Sequence, residues 1–279
     1  MKKVGLIDYF LHEWHADHIK EWVKKASNGI YDVVYAWGEI DSPRPNGLTN
    51  SEWAKEHDIQ LCSTQEELIE KSDCLCVMAP DNIETHERLC DLALKSGKPA
   101  YIDKAIAINK KAAVNIIDLA NKYNTPCFAS SALRFASEYQ NAKKDGICGI
   151  LTSGGGSCEN YIIHQIEPIV MFAGSNPKRV KSVGNNDFIG FVLEFHNGIQ
   201  ARINFFNDDY PFEMGIKYND KTSASIKVES DMFANFTKEL IRFFDTGEII
   251  VPHEQSLAVV SIIESCMTAL KQNDWVKIL

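Results

Sequence analysis

The sequence predicts an α/β protein: a doubly wound parallel sheet over residues 1–130, then an α+β domain with a mainly antiparallel sheet over 131–279. Three observations lead there. Short apolar strands alternate with helical patterns through the first half, which requires a parallel sheet covered on both faces. From Arg179 onward several strands follow one another without helices, punctuated by His196-Asn197-Gly198 and Asn219-Asp220, as in an antiparallel sheet. A chain of 279 residues with 45% hydrophobic and 24% charged side chains has the size and balance of a two-domain globular protein.

Val4–Asp8 reads as a buried strand, and Ala16–Ala26 as a helix with Ile19, Trp22, Val23 and Ala26 on one face. Tyr31–Trp37 is the second strand. Pro43, Pro45 and Gly47 break the chain into a loop, after which Ser51 is expected to cap a short helix over Trp53. Cys74–Met78 is a core strand ended by Pro80, and Thr85–Lys95 a helix stopped by Gly97. The strand Ala100–Ile102, the helix Lys110–Tyr123 and the strand Cys127–Ser130 complete the alternation. A helix at Ser137–Lys144, a strand around Ile150, the run Gly154-Gly155-Gly156 and a helix over Tyr161–Phe172 follow. Then come the strands Arg179–Val183, Phe188–Phe195, Gln200–Phe206, Glu213–Tyr218 and Ser223–Val228, and two closing helices, Met232–Phe244 and Ser256–Leu270. Ligands are expected in a cleft between the two domains.

A net charge of −9 without a long basic run argues against nucleic acid or an anionic membrane as partner. No apolar stretch approaches a bilayer span, and Met1-Lys2-Lys3 leads directly into a strand. A cytoplasmic protein without signal peptide or membrane helix is therefore expected. Eight scattered cysteines without a C-x-x-C pair read as small buried hydrophobes in a reducing compartment.

Chemistry concentrates at a few positions. Lys104 lies just beyond the strand Ala100–Ile102, at the strand end where parallel sheets bind ligands, and a desolvated ammonium there can exchange a proton at neutral pH. After the first strand, a dinucleotide fingerprint would need glycines; the chain has Asp8-Tyr9-Phe10-Leu11-His12-Glu13-Trp14-His15 and not one glycine. His12, His15 and His18 recur every third residue, near or within one helix face. They carry zinc's donor chemistry but lack any CxxC or HExxH beside them, and we read them as a polar first turn with no metal. After the second strand, Glu39 or Asp41 could hold a ribose, and the sequence does not choose between them. Trp14 and Trp37 sit at strand–loop edges, where a sugar or adenine ring could stack.

The order of these signals resembles the glucose–fructose oxidoreductase/inositol dehydrogenase family (Gfo/Idh/MocA). Pro80, His86, Gly97-Lys98, Asp103-Lys104-Ala105 and Arg134-Phe135 stand where that family has a strand-ending proline, a helix-opening histidine, "GK", "EKP" and "Rf". Gly146–Ile150 matches its "G.iG.i". Gly154-Gly155-Gly156, Asn160, His164 and Glu167 match its "GGG…D…H..D". The resemblance covers nearly the whole chain and implies a Rossmann-like first domain with a substrate and oligomerisation domain behind it.

It also implies an NAD(P)-dependent oxidoreductase acting on a sugar- or polyol-like hydroxyl or carbonyl. Lys104 and His164 would be its catalytic residues, Arg134, Asn160 and Tyr161 its substrate contacts, and Asp8, Phe10, Trp37, Glu39, Pro80, His86 and Asp103 its cofactor contacts. The expected partners are a small-molecule substrate and further copies of the chain in a homo-oligomer. Two departures point to an alternative. The glycines are missing, and Asn160 replaces an aspartate with a group that cannot act as a base. A catalytically silent ligand-binding or regulatory homologue would show both features; the family includes a transcriptional co-repressor. If NAD or NADP binds, weak binding with an altered pyrophosphate pose is expected.

Overall fold

Between Lys2 and Ala129 the apolar runs form six parallel strands, in a computed structural model that describes residues 1–185, 187–206, 209–272 and 274–279. The strands are β1 (Lys2–Asp8), β2 (Tyr31–Gly38), β3 (Gln60–Leu61), β4 (Cys74–Val77), β5 (Ala100–Ile102) and β6 (Cys127–Ala129). They are ordered β3-β2-β1-β4-β5-β6. The order reverses between β1 and β4, so this is a doubly wound sheet with its switch point at those two strand ends. The interleaved helices are α1 (Trp14–Ala26), α2 (Asn50–Glu56), α3 (Gln65–Lys71), α4 (His86–Lys95) and α5 (Lys110–Lys122).

Two local expectations need correction. Thr49, not Ser51, caps α2: its hydroxyl accepts from the Glu52 N–H while the Glu52 carboxylate accepts from the Thr49 N–H, a reciprocal capping box. The sequence reading also has no element over Gln60–Lys71, where β3 and α3 form. β3 is only two residues long and α3 buries only Gln65 and Leu68, too little for a periodic signal.

The second sheet has seven strands: β7 (Ile147–Gly154), β8 (Pro177–Asn185), β9 (Phe188–Phe195), β10 (Gln200–Phe205), β11 (Glu213–Tyr218), β12 (Ser223–Lys227) and β13 (Val276–Lys277). They are ordered β12-β11-β7-β10-β9-β8-β13, with every pair antiparallel except β7 and β10. The helices are α6 (Ser137–Asn141), α7 (Cys158–Ala173), α8 (Met232–Thr246) and α9 (His253–Ala269). No helix among the described residues is long and apolar enough to cross a membrane. All eight cysteines are free thiols and only Cys148 is exposed; burial pushes Cys127 and Cys158 up to about 12.

The chain divides into two compact units, Met1–Ser130 with Phe233–His253 and Ser131–Met232 with Glu254–Leu279. The first unit retrieves α8 from far along the chain because that helix is aromatic on one side. Phe236 packs on Tyr101 (ring centroids 5.1 Å apart), Phe243 on Phe128 (4.8 Å) and Phe244 on Tyr31 (5.8 Å). At its end Asp245 accepts from the Tyr31 hydroxyl (2.8 Å) and the Lys2 ammonium (3.0 Å). Phe243 is fully buried. Phe243→Ala should therefore lower unfolding stability by about 3–5 kcal/mol in urea titrations, and a loss below about 1 kcal/mol would show that α8 does not help to hold the first sheet.

Candidate functional site

The carboxyl edge of the first sheet carries an unusual concentration of buried acids. Asp8, at the end of β1, is 1% exposed; one of its oxygens accepts the Tyr9 N–H at 2.6 Å, and Oδ2 has no hydrogen-bond partner among the described residues. Glu13 caps α1, its carboxylate accepting the backbone N–H groups of His15 (2.8 Å) and Ala16 (2.5 Å). Asp103, beyond β5, accepts the Tyr101 hydroxyl at 2.9 Å through Oδ1. His15 Nδ1 lies 3.5 Å from Glu13 Oε2 and 3.8 Å from Asp103 Oδ2, ion-pair distances too long for hydrogen bonds.

The titration of this cluster follows from burial and neighbours. Burial, then the negative charge of Glu13, raises Asp8 well above the usual carboxylate range, so it is held protonated. Burial works against charging His15, but Asp103 and Glu13 outweigh it and its pKa is raised. Burial alone would raise Asp103; His15 and Lys104 reverse that and lower it.

Lys104 is half-buried, its ammonium donates to the Pro80 carbonyl at 3.3 Å, and the Lys104–Ala105 peptide is cis. His86 is wholly buried between the carbonyls of Ala79 (3.2 Å) and Ile106 (3.3 Å), and burial lowers its pKa, leaving a neutral ring. At the end of β2, Trp37 is half-buried. Glu39 is exposed and paired with the Arg88 guanidinium, while Asp41 is used inside its own loop, accepting the Asn50 N–H at 2.7 Å. The three histidines separate. α1 begins at Trp14, so His12 lies outside the helix and accepts the Leu48 N–H, while His18 donates to the Trp14 carbonyl. No group of three His, Cys, Asp or Glu side chains is placed to hold a metal among the described residues.

The turn after β1 does not fit a dinucleotide diphosphate in its ordinary place. The G-x-G-x-x-G spacing, counted from the end of β1, puts its three glycines at Asp8, Phe10 and Glu13. Phe10 is buried beneath the Arg44 guanidinium, 5.1 Å from the ring centre. The amides are occupied as well: Tyr9 by Asp8, Leu11 by the Asn50 side chain, and His15 and Ala16 by Glu13.

In the second unit His164 projects from α7, half-buried, and forms a 2.7 Å hydrogen bond with the Ser131 hydroxyl through Nδ1. The Ser131 N–H donates to Glu167 Oε2 at 2.7 Å, and Glu167 Oε1 lies 3.7 Å from Arg134 Nη1. Arg134 is itself buried and donates to Gln255 at 2.5 Å. The Tyr161 and Phe212 rings flank the imidazole at 5.4 and 5.6 Å. A Cβ at Gly154 would come within 2.6 Å of the Phe212 ring, and one at Gly156, whose φ is +87°, within 2.3 Å of Tyr161. The glycine run is thus where two aromatic rings lie against bare backbone. Asn160 and Tyr161 are exposed on the first turn of α7. Sequence reasoning missed Glu13 as a cap, because glutamate is not among the usual capping residues. Ser131 and Phe212 carry no sequence signal. A shallow depression on the second sheet, lined by Leu151, Gln200, Arg202 and Lys217, contains none of these groups.

No protein-family model and no curated protein is matched by the sequence. Solved structures are matched along the whole chain. A probable dehydrogenase from Thermotoga maritima is 14% identical with a TM-score of 0.80, over 99% of this chain and 98% of that one. GenD2 from gentamicin A biosynthesis, in complex with NAD, is 10% identical at 0.82, over 100% and 97%. Scyllo-inositol dehydrogenase from Lactobacillus casei, with bound NAD(H) and scyllo-inositol, is 14% identical at 0.80, over 99% of each chain. The chain therefore has the fold of inositol dehydrogenases and related dehydrogenases, the fold implied by its resemblance to the Gfo/Idh/MocA family.

The acid cluster has a measurable signature. Asp8 is held protonated in the fold but ionises near pH 3.9 when unfolded, so its contribution to stability is full below that pH and is lost as pH rises toward its raised folded value. Asp8→Asn removes the dependence. The stability of the variant relative to wild type should rise between pH 5 and pH 8, measured by urea midpoints; a constant difference would mean that Asp8 is not held protonated.

Proposed function

We propose that this protein is an oxidoreductase acting on a hydroxyl or carbonyl of a sugar- or polyol-like small molecule. The observation that carries the reading is the presence, on an inositol-dehydrogenase fold, of Lys104 at the carboxyl end of β5 and His164 on α7, the two positions the sequence resemblance marks. Oxidising a carbinol removes a proton from oxygen and a hydride from carbon. His164, oriented by Ser131, is proposed as the base that takes the proton, and the Lys104 ammonium as the charge that steadies the alkoxide. Asn160 and Tyr161, beside His164 on α7, are proposed substrate contacts, together with Arg134.

The proposed cofactor is a nicotinamide dinucleotide, NAD or NADP, which supplies hydride transfer when bound. Phe10, Trp37, Glu39 and Pro80 are proposed to border it, with Asp8, His86 and Asp103 in the buried layer behind. Its diphosphate would have to sit away from the start of α1. A cytoplasmic homo-oligomer is proposed alongside, for which light scattering of the purified protein is the check.

One observation favours a second reading, that of a ligand-binding or regulatory protein: the chain's own carboxylates hold the amides of the turn after β1. Melting temperatures with NAD, NADH, NADP and NADPH, followed by turnover on a panel of polyols and sugars, separate the two readings. With a competent substrate, Lys104→Ala should lower turnover by about 10²-fold or more, and unchanged turnover would reject its role. No shift with any of the four cofactors would transfer support to the second reading.

A further inference from the structure

The first turn of α1 presents backbone N–H groups toward the switch point of the sheet, the place where a helix of this fold meets an anion. Here those donors already have an acceptor. The Glu13 carboxylate closes on the His15 and Ala16 N–H groups at 2.8 and 2.5 Å, and the side chain is 2% exposed. A second observation lies beside it: Asp8 Oδ2 is buried without a hydrogen-bond partner among the described residues, so an unpaired buried carboxyl group, not a further backbone donor, lies next to Glu13. A diphosphate entering this turn would find its amides taken and the carboxyl groups of Glu13 and Asp8 in its place.

We propose that Glu13 is an internal ligand of α1, its carboxylate occupying the anion site that a dinucleotide diphosphate would otherwise fill. A diphosphate then engages this turn only where Glu13 has withdrawn or been replaced. The proposal rests on the oxidoreductase reading only for its choice of ligand, because the occupied site is a property of the turn itself. It also assigns Glu13 a role beyond that of a helix cap. A cap needs one good acceptor, which serine, threonine, asparagine or aspartate supplies without filling the space in front of the helix.

Glu13→Ser keeps a capping hydroxyl while removing the charge and the reach of the carboxylate, so α1 should still form. Titration calorimetry of the full chain with NADH and with ADP-ribose, which carries the diphosphate without nicotinamide, tests the proposal. Glu13→Ser should bind both at least about tenfold more tightly than wild type, and Asp8→Gly/Phe10→Gly/Glu13→Gly more tightly still. Equal affinity in wild type and Glu13→Ser overturns the proposal, as does the absence of binding in wild type and both variants. Should the variants fail to fold, amide chemical shifts of wild type decide: excess NADH should leave His15 and Ala16 unmoved, and a saturable shift at both would overturn the proposal. Polyol turnover by wild type without a gain in Glu13→Ser would overturn this proposal and leave the oxidoreductase reading standing. A gain in Glu13→Ser with no wild-type turnover would do the reverse.

Discussion

The backbone N–H groups at the start of α1 must be satisfied, and the way this chain satisfies them governs the edge of its first sheet. A helix N-terminus at the switch point carries partial positive charge and unpaired donors. In this chain an internal carboxylate answers both, and the neighbouring groups adjust to it. Burial first, and then the charge of Glu13, raises Asp8 well above the usual carboxylate range. His15 is drawn toward its charged form between Glu13 and Asp103, and Asp103 is lowered by His15 and Lys104 in turn. The cluster therefore approaches neutrality without an external ion, which is how buried charge is tolerated.

The second unit achieves order by a different means. Glycines at 154 and 156 let the Phe212 and Tyr161 rings lie against the backbone, and those rings flank His164. Polar contacts then run from His164 through Ser131 and Glu167 to Arg134, all anchored on α7 and the turn that follows β6. Within α7, Pro168 has no N–H to give the His164 carbonyl, so the helix lacks a backbone bond where its imidazole is presented.

Much of this was legible in the linear sequence, because local periodicity encodes which face of an element is buried. The alternation of strands and helices through Ala129, and the later succession of strands, decided the fold class; both depend on side chains a few residues apart. The absence of glycine after β1 was equally readable, since no arrangement of Asp8, Phe10 and Glu13 restores the bare backbone that a fingerprint turn needs. Lys104 and His164 stood out by their spacing within a recognisable pattern.

Only the tertiary structure decided the rest, and the common reason is that those features depend on partners distant in sequence. Thr49 rather than Ser51 caps α2 because the choice rests on a reciprocal bond whose geometry the sequence does not specify. α8 joins the first unit through Tyr31, Tyr101 and Phe128, each more than a hundred residues away. Parallel pairing of β7 with β10 inside a mostly antiparallel sheet is likewise invisible to strand periodicity, which is the same for either direction. Composition could place acids near the end of β1, but the fold alone determined that one carboxylate turns inward to the amides of its own helix while another is buried protonated beside it. The sequence determined which groups were available; the three-dimensional packing determined which met, because burial and hydrogen bonding are settled by neighbours in space.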